Sequence, residues 1–128
     1  MMDEEHHPAL LGRRILIVED EPMIALTIEE MLSEAGCRVA GTATQISDAL
    51  RLIAEGGIDG AVLDVNLGAE KIDPVADELA RLGCPFIFTT GYGAPGVPHA
   101  HVRQGIVQKP FRSADLANTL ARAFPRPA

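Results

Sequence analysis

Two short apolar runs that end abruptly in acids constrain this chain more than any other feature. They are "RILIVED" (residues 14–20) and "GAVLDVNLG" (residues 60–68). Neither alternates polar with apolar positions, so each reads as a strand buried on both faces, as in a parallel sheet covered by helices. Each run ends abruptly at its acids, Asp20 and Asp64 marking the strand ends.

The segments between the runs have helical periodicity. "PMIALTIEEMLSEAG" opens on Pro22, which suits a first helical turn, and closes on Gly36, which suits a stop. Ile24, Ile28, Met31, Leu32 and Ala35 recur every three to four positions on one face. "CRVAGTA" reads as a weaker second strand. A cap at Thr44 opens "QISDALRLIAEG", and "DPVADELARLG" is a third helix. "CPFIFTTG" and "GIVQKPF" are strands four and five. Ser113 caps a closing helix, "ADLANTLARAF". The order is β-α-β-α-β-α-β-gap-β-α. The fold class expected is α/β, a doubly wound five-stranded parallel sheet of order 2-1-3-4-5 whose fourth helix is short or irregular. Residues 1–12 read as a polar N-terminal tail with a short docked piece, 13–124 as one domain, and 125–128 as a C-terminal tail.

That strand order gathers the strand ends at one edge. Glu19, Asp20 and Glu21 end strand one, Asp64 ends strand three, Thr89 and Thr90 end strand four, and Lys109 and Pro110 end strand five. Crowded carboxylates repel one another and require a positive charge. Lys109 offsets one of the three charges of Glu19, Asp20 and Asp64, and the remaining two match a divalent cation. Oxygen ligands without His or Cys favour Mg²⁺. A cation of that kind also recruits phosphate oxygens, which makes Asp64 a candidate nucleophile toward a phosphoryl group. Lys109 would stabilise the transferring oxygens, and the Thr90 hydroxyl could bind them afterwards.

The four motifs together resemble the response-regulator receiver domains of two-component phosphorelay signalling. "ILIVEDEP" is similar to the family's acidic first-strand motif, "AVLDVNLG" to its phospho-acceptor strand, "FTTG" to its switch-threonine strand and "QKPF" to its lysine-proline strand. The resemblance covers about residues 13–124 and implies the flavodoxin-like (βα)₅ fold. It implies Asp64 as phospho-acceptor, Asp20 as a direct Mg²⁺ ligand, Glu19 as an outer acid acting through water, and Asn66 as a ligand through its backbone carbonyl. Thr90 matches the switch hydroxyl and Lys109 the motif lysine. "PFIFTTGYG" resembles the receiver subfamily named for its FATGUY motif, with Thr89 where that pattern has alanine. Ile106 stands where many receivers carry an aromatic, and the interval from Thr90 to Lys109 is about three residues shorter than usual in the family.

The function expected is phosphorylation of Asp64 by a histidine kinase or histidine phosphotransfer protein, switching a protein-binding face. The alternative is a phosphate sink or shuttle. A Mg²⁺-dependent phosphohydrolase with an Asp nucleophile is a remote alternative, because Asn66 stands where that chemistry wants a second Asp. The domain is expected to be a signalling module rather than an enzyme, and stand-alone, because the chain stops after its last helix. A net charge of -7 argues against nucleic acid. No apolar run reaches the ~18 residues of a membrane span, and the acidic start lacks a signal-peptide pattern, so a cytoplasmic setting is expected.

Several residues have plainer readings. Glu21 reads as a loop acid or helix N-terminal charge, His99 and His101 as exposed histidines, and Cys37 and Cys84 as reduced, buried thiols. Strand alternation sends Thr89 and Thr90 to opposite faces, and the motif assigns the switch to Thr90. Tyr92 is placed to cover the phosphoryl site or to meet a partner. A cis bond at Pro110 would help aim Lys109. Between Gly91 and Pro98 stand three glycines and two prolines, which oppose a regular helix. At most a turn or two is expected around residues 99–104, with the greatest mobility between Gly91 and Val97.

Overall fold

The computed structural model describes residues 7–91, 96–101 and 103–125. Five strands form one sheet: β1 (Arg14–Val18), β2 (Arg38–Ala43), β3 (Gly60–Asp64), β4 (Phe86–Thr90) and β5 (Ile106–Gln108). All pairings are parallel and the order is β2-β1-β3-β4-β5, as the sequence leads one to expect. The helices are α1 (Pro22–Glu34), α2 (Ile46–Glu55), α3 (Asp73–Arg81) and α4 (Ser113–Ala123).

Alternation along the buried strands divides the core into two layers. Leu16, Leu63, Phe86 and Phe88 point toward α2 and α3, where Ala49, Ile53, Val75 and Leu79 meet them. Ile15, Ile17, Val62, Ile87 and Val107 point the other way, toward Ile28 and Leu32 of α1 and Leu116 and Leu120 of α4. β3 and β4 are buried along their whole length. Helix-lined faces leave these strands no solvent side, which is why their sequences do not alternate.

Pro22 occupies the first turn of α1, and Gly36 follows the helix at φ 95°. That left-handed conformation suits glycine and ends the helix there. Two helix starts differ from the sequence reading by one residue. Gln45 rather than Thr44 stands at the cap of α2. Arg112 rather than Ser113 stands at the cap of α4, where its N–H donates to Asp115 Oδ2 at 3.2 Å. At α2 no side chain caps the helix, whereas at α4 the Asp115 carboxylate closes back on the cap N–H. Ser113 instead starts the helix and donates to Glu34 Oε1 of α1 at 3.4 Å.

Between β4 and β5 the described residues contain no α-helix. A single 3₁₀ turn, His99–His101, stands there, in agreement with the Gly/Pro-rich sequence. Val97 is buried beside it. The expectations placed on Tyr92 and on much of the interval up to Val97 concern residues outside those described. β5 then starts against α4 so closely that a Cβ at Gly105 would fall 2.5 Å from Thr119 Cγ2. A side chain there would force the Thr119 methyl to move.

At the N-terminus Pro8–Leu10 form a 3₁₀ turn that seats Leu10, fully buried, in the α1/α4 layer. Cys37 and Cys84 are free thiols, as expected. Cys37 is buried and Cys84 half-buried, and burial raises both pKa values to about 11. None of the described helices is long and apolar enough to cross a membrane.

Candidate functional site

The carboxyl ends of β1, β3, β4 and β5 bring the sequence-predicted residues together. β1 pairs with β3 as far as Val18↔Leu63, and β3 with β4 as far as Asp64↔Thr89. One step beyond Val18, Glu19 therefore falls level with Asp64, and its N–H continues the ladder to Ala43 O at 3.0 Å. Glu19, Asp20 and Asp64 each offer an oxygen within 4.8 Å of the others. Glu19 is fully buried and Asp64 is 1% exposed. Asp20 is more open to solvent.

Lys109 reaches this cluster from the end of β5. Its Nζ lies 3.1 Å from Glu19 Oε1 and 3.3 Å from Asp64 Oδ2. The contact with Glu19 is one of charge, without the alignment of a hydrogen bond. The Lys109 N–H donates to Thr90 O at 2.7 Å, which fixes the base of the side chain, and the following Lys109–Pro110 bond is cis. Burial works to lower the Lys109 pKa, but the Glu19 and Asp64 carboxylates outweigh it and hold the ammonium above its usual value. Lys109 is therefore a fixed cation at neutral pH.

Glu19, the outer acid that the motif suggests, is fully buried. Burial, reinforced by the neighbouring Asp64 charge, lifts its pKa to about 7, although the Glu21 N–H and Lys109 pull the other way. The Glu21 N–H donates to Glu19 Oε2 at 3.1 Å. Glu21 itself is an exposed residue at the cap of α1, as its plainer reading has it. Asp64 Oδ1 accepts the Asn66 N–H at 3.0 Å, which orients the carboxylate as the chain leaves β3.

Thr89 and Thr90 are both fully buried. Register places Thr89 beside Asp64 and Val107, on the α1/α4 face, and Thr90 beside Gln108 on the opposite face at the strand end. His101 corrects an expectation: it is 9% exposed rather than solvent-facing. Its Nε2 lies 2.7 Å from Asp77 Oδ1 of α3, and its ring stands edge-on to Phe86 with centroids 5.4 Å apart. Nothing in a Gly/Pro-rich context signals this burial. A partner 24 residues earlier can be found only once the fold sets α3 beside the turn. His99 is exposed.

The model of the response regulator receiver domain matches residues 15–121, nearly the whole of this fold and all of the strand-end cluster. The chain belongs to that family. A receiver is a phospho-acceptor signalling domain of two-component systems, and that membership leaves no support for the phosphohydrolase alternative. It also implies a histidine kinase as partner.

Among sequence relatives, the receiver is 30% identical over 118 residues to the phyllosphere-induced regulator PhyR of Methylorubrum extorquens, covering 89% of this chain and 44% of PhyR. It spans about half the length of the curated relatives it matches. Among solved structures, SdrG from Sphingomonas melonis Fr1 is 42% identical with a TM-score of 0.79, and the match covers 90% of this chain and 97% of SdrG. The BeF3-activated conformation of SdrG, from Pseudomonas melonis Fr1, is 39% identical with a TM-score of 0.72 over 94% of this chain and 97% of that one.

Proposed function

We propose that this receiver accepts a phosphoryl group on Asp64 from a phosphohistidine of a kinase or phosphotransfer protein, and that the modification switches a protein-binding face. The observation that carries this reading is a buried Asp64 held between the Lys109 ammonium and two further carboxylates. An Asp64 oxygen attacks phosphorus, the P–N bond to the donor imidazole breaks, and the released nitrogen takes up a proton. Lys109 then faces the added oxygens, and the Thr90 hydroxyl is assigned the switch contact at the end of β4.

The donor set suits Mg²⁺. Three carboxylates within 4.8 Å share one nearby ammonium, so negative charge is left over for a cation. Asp20 and Asp64 would hold the ion directly, Asn66 through its backbone carbonyl and Glu19 through water. When bound, the ion would neutralise phosphoryl charge.

Likeness to SdrG along nearly its full length supports a stand-alone regulator, one whose output is a protein contact in the cytoplasm. The "FTTGY" segment supports placement in the FATGUY group. The test is incubation with acetyl phosphate and Mg²⁺, followed by intact mass. Wild type should gain one phosphoryl group and Asp64→Asn none; an unmodified wild type would refute the proposal. A lifetime too short for partner binding would leave the phosphate-sink role instead.

A further inference from the structure

The loop that leaves the row of strand-end side chains at Asp64 makes a contact that the motif does not assign. Asn66 follows the acceptor by two residues, and its N–H donates to Asp64 Oδ1 at 3.0 Å. Leu67 is buried in the α2/α3 layer. The Glu70 N–H then donates to Leu67 O at 3.0 Å, closing a tight turn in which Gly68 takes a left-handed φ of 58°. From that turn the Glu70 side chain reaches across to α2, where its Oε1 accepts the Ile46 N–H at 3.1 Å.

Ile46 is the first residue of α2, and the cap residue before it, Gln45, supplies no side-chain cap. The Ile46 N–H is one of the donors that a helix cannot satisfy internally, and a carboxylate there also meets the positive end of the helix dipole. Glu70 thus caps α2 from 24 residues further along the chain.

The two partners of this bond differ in stiffness. α2 is anchored by buried Ala49 and Ile53, and the strand before it is tied to the site where the Glu19 N–H donates to Ala43 O. The loop has Leu67 in the core, whereas Asn66 and residues 68–71 are exposed. Among the described residues, its outer side borders an open groove toward Gly96, Val97 and Pro98. The bond therefore restrains the loop more than the helix.

Resting on the Mg²⁺ site proposed above, we propose that Glu70 is a positioning residue for the cation. By bonding to α2 it keeps the loop ordered, and with it the Asn66 backbone carbonyl. Glu70 touches neither ion nor phosphoryl group. It acts by reducing the ordering cost that the loop would otherwise pay when the ion binds.

The experiment compares wild type, Glu70→Ala and Glu70→Gln by amide NMR. Order parameters of the metal-free protein report loop mobility, and Mg²⁺ titration gives affinity. In Glu70→Ala, order parameters at residues 66–70 should fall while those of α2 stay. Mg²⁺ affinity should fall about threefold, the size of one carboxylate contact at a helix N-terminus. Amides cap helices about as well as carboxylates, so Glu70→Gln should restore loop order and bind within about 1.5-fold of wild type. Wild-type affinity in Glu70→Ala would show that the loop is held without Glu70 and overturn the inference. Equal losses in both variants would overturn it as well, leaving only an effect of charge. Loss of order in α2 rather than in the loop would make Glu70 a helix cap alone. If wild type binds no Mg²⁺, the reading of the cation site fails and this inference fails with it.

Discussion

The crossovers on either side of β4 cover the same layer of the sheet by unequal means. From β3 to β4 the chain forms α3, whose Val75, Ala76 and Leu79 are buried against the sheet. From β4 to β5 the described residues provide one 3₁₀ turn, in which His101 is buried, preceded by buried Val97 and Pro98. The first crossover is part of the core. The described residues of the second are fastened at a few points, and segments of that kind open at low free-energy cost. Both border the strand that carries Thr89 and Thr90, so a change at the site has one stiff neighbour and one compliant neighbour. A switch that moves structure at modest energy should act on the compliant one.

The largest test of this contrast is Leu79→Ala. It should lower global stability by about 2–5 kcal/mol in urea unfolding, because α3 cannot collapse onto the space left behind. Val97→Ala should cost roughly 1.5 kcal/mol and mainly speed hydrogen exchange at residues 97–101. Equal losses of global stability in the two variants would break the comparison.

Next comes a pH effect centred on Glu19. Its pKa is raised from 4.5 to about 7 on folding, so its proton favours the fold. That contribution is complete below about pH 4.5 and is lost as pH rises through about 7. Mg²⁺ requires the ionised form, so its affinity by calorimetry should rise about tenfold between pH ~6 and pH ~8, and Glu19→Gln should remove the dependence. If the comparison holds, ion binding should protect amides at 97–101 more than those of α3.

The smallest effect expected is that of Asp77→Ala. Asp77 is 65% exposed, so its contact with His101 is worth under about 1 kcal/mol. The variant should loosen exchange at residues 99–101 and leave the unfolding midpoint nearly unchanged. A large drop in the midpoint would mean that this turn is as firmly fixed as α3.

The sequence revealed those parts of the molecule whose physics is local. Doubly buried strands leave apolar runs, one-sided helices leave a three-to-four spacing, and Gly91, Gly96 and Pro98 mark where a helix would not form. Acids at strand ends stood out because they interrupt apolar runs. Three features required the third dimension. The burial of Glu19 follows from its level beside Asp64 rather than from its neighbours in the chain. The burial of His101 depends on Phe86 and Asp77, which only packing brings near. That Thr89 stands level with Asp64 follows from the register of the strand alongside rather than from its own strand.

The hydrogen bond from the Lys109 N–H to Thr90 O has a consequence for how chains of this kind can diverge. It ties the two ends of the β4–β5 crossover together in the ladder, independently of what lies between them. Residues can be removed from that crossover without moving Lys109 relative to Asp64, whereas one residue inserted within any of the four strands would turn its member of the row to the opposite face. Length is thus free to drift in the crossover and is held fixed in the strands. The crossover can acquire a new partner while the site beneath it stays in place.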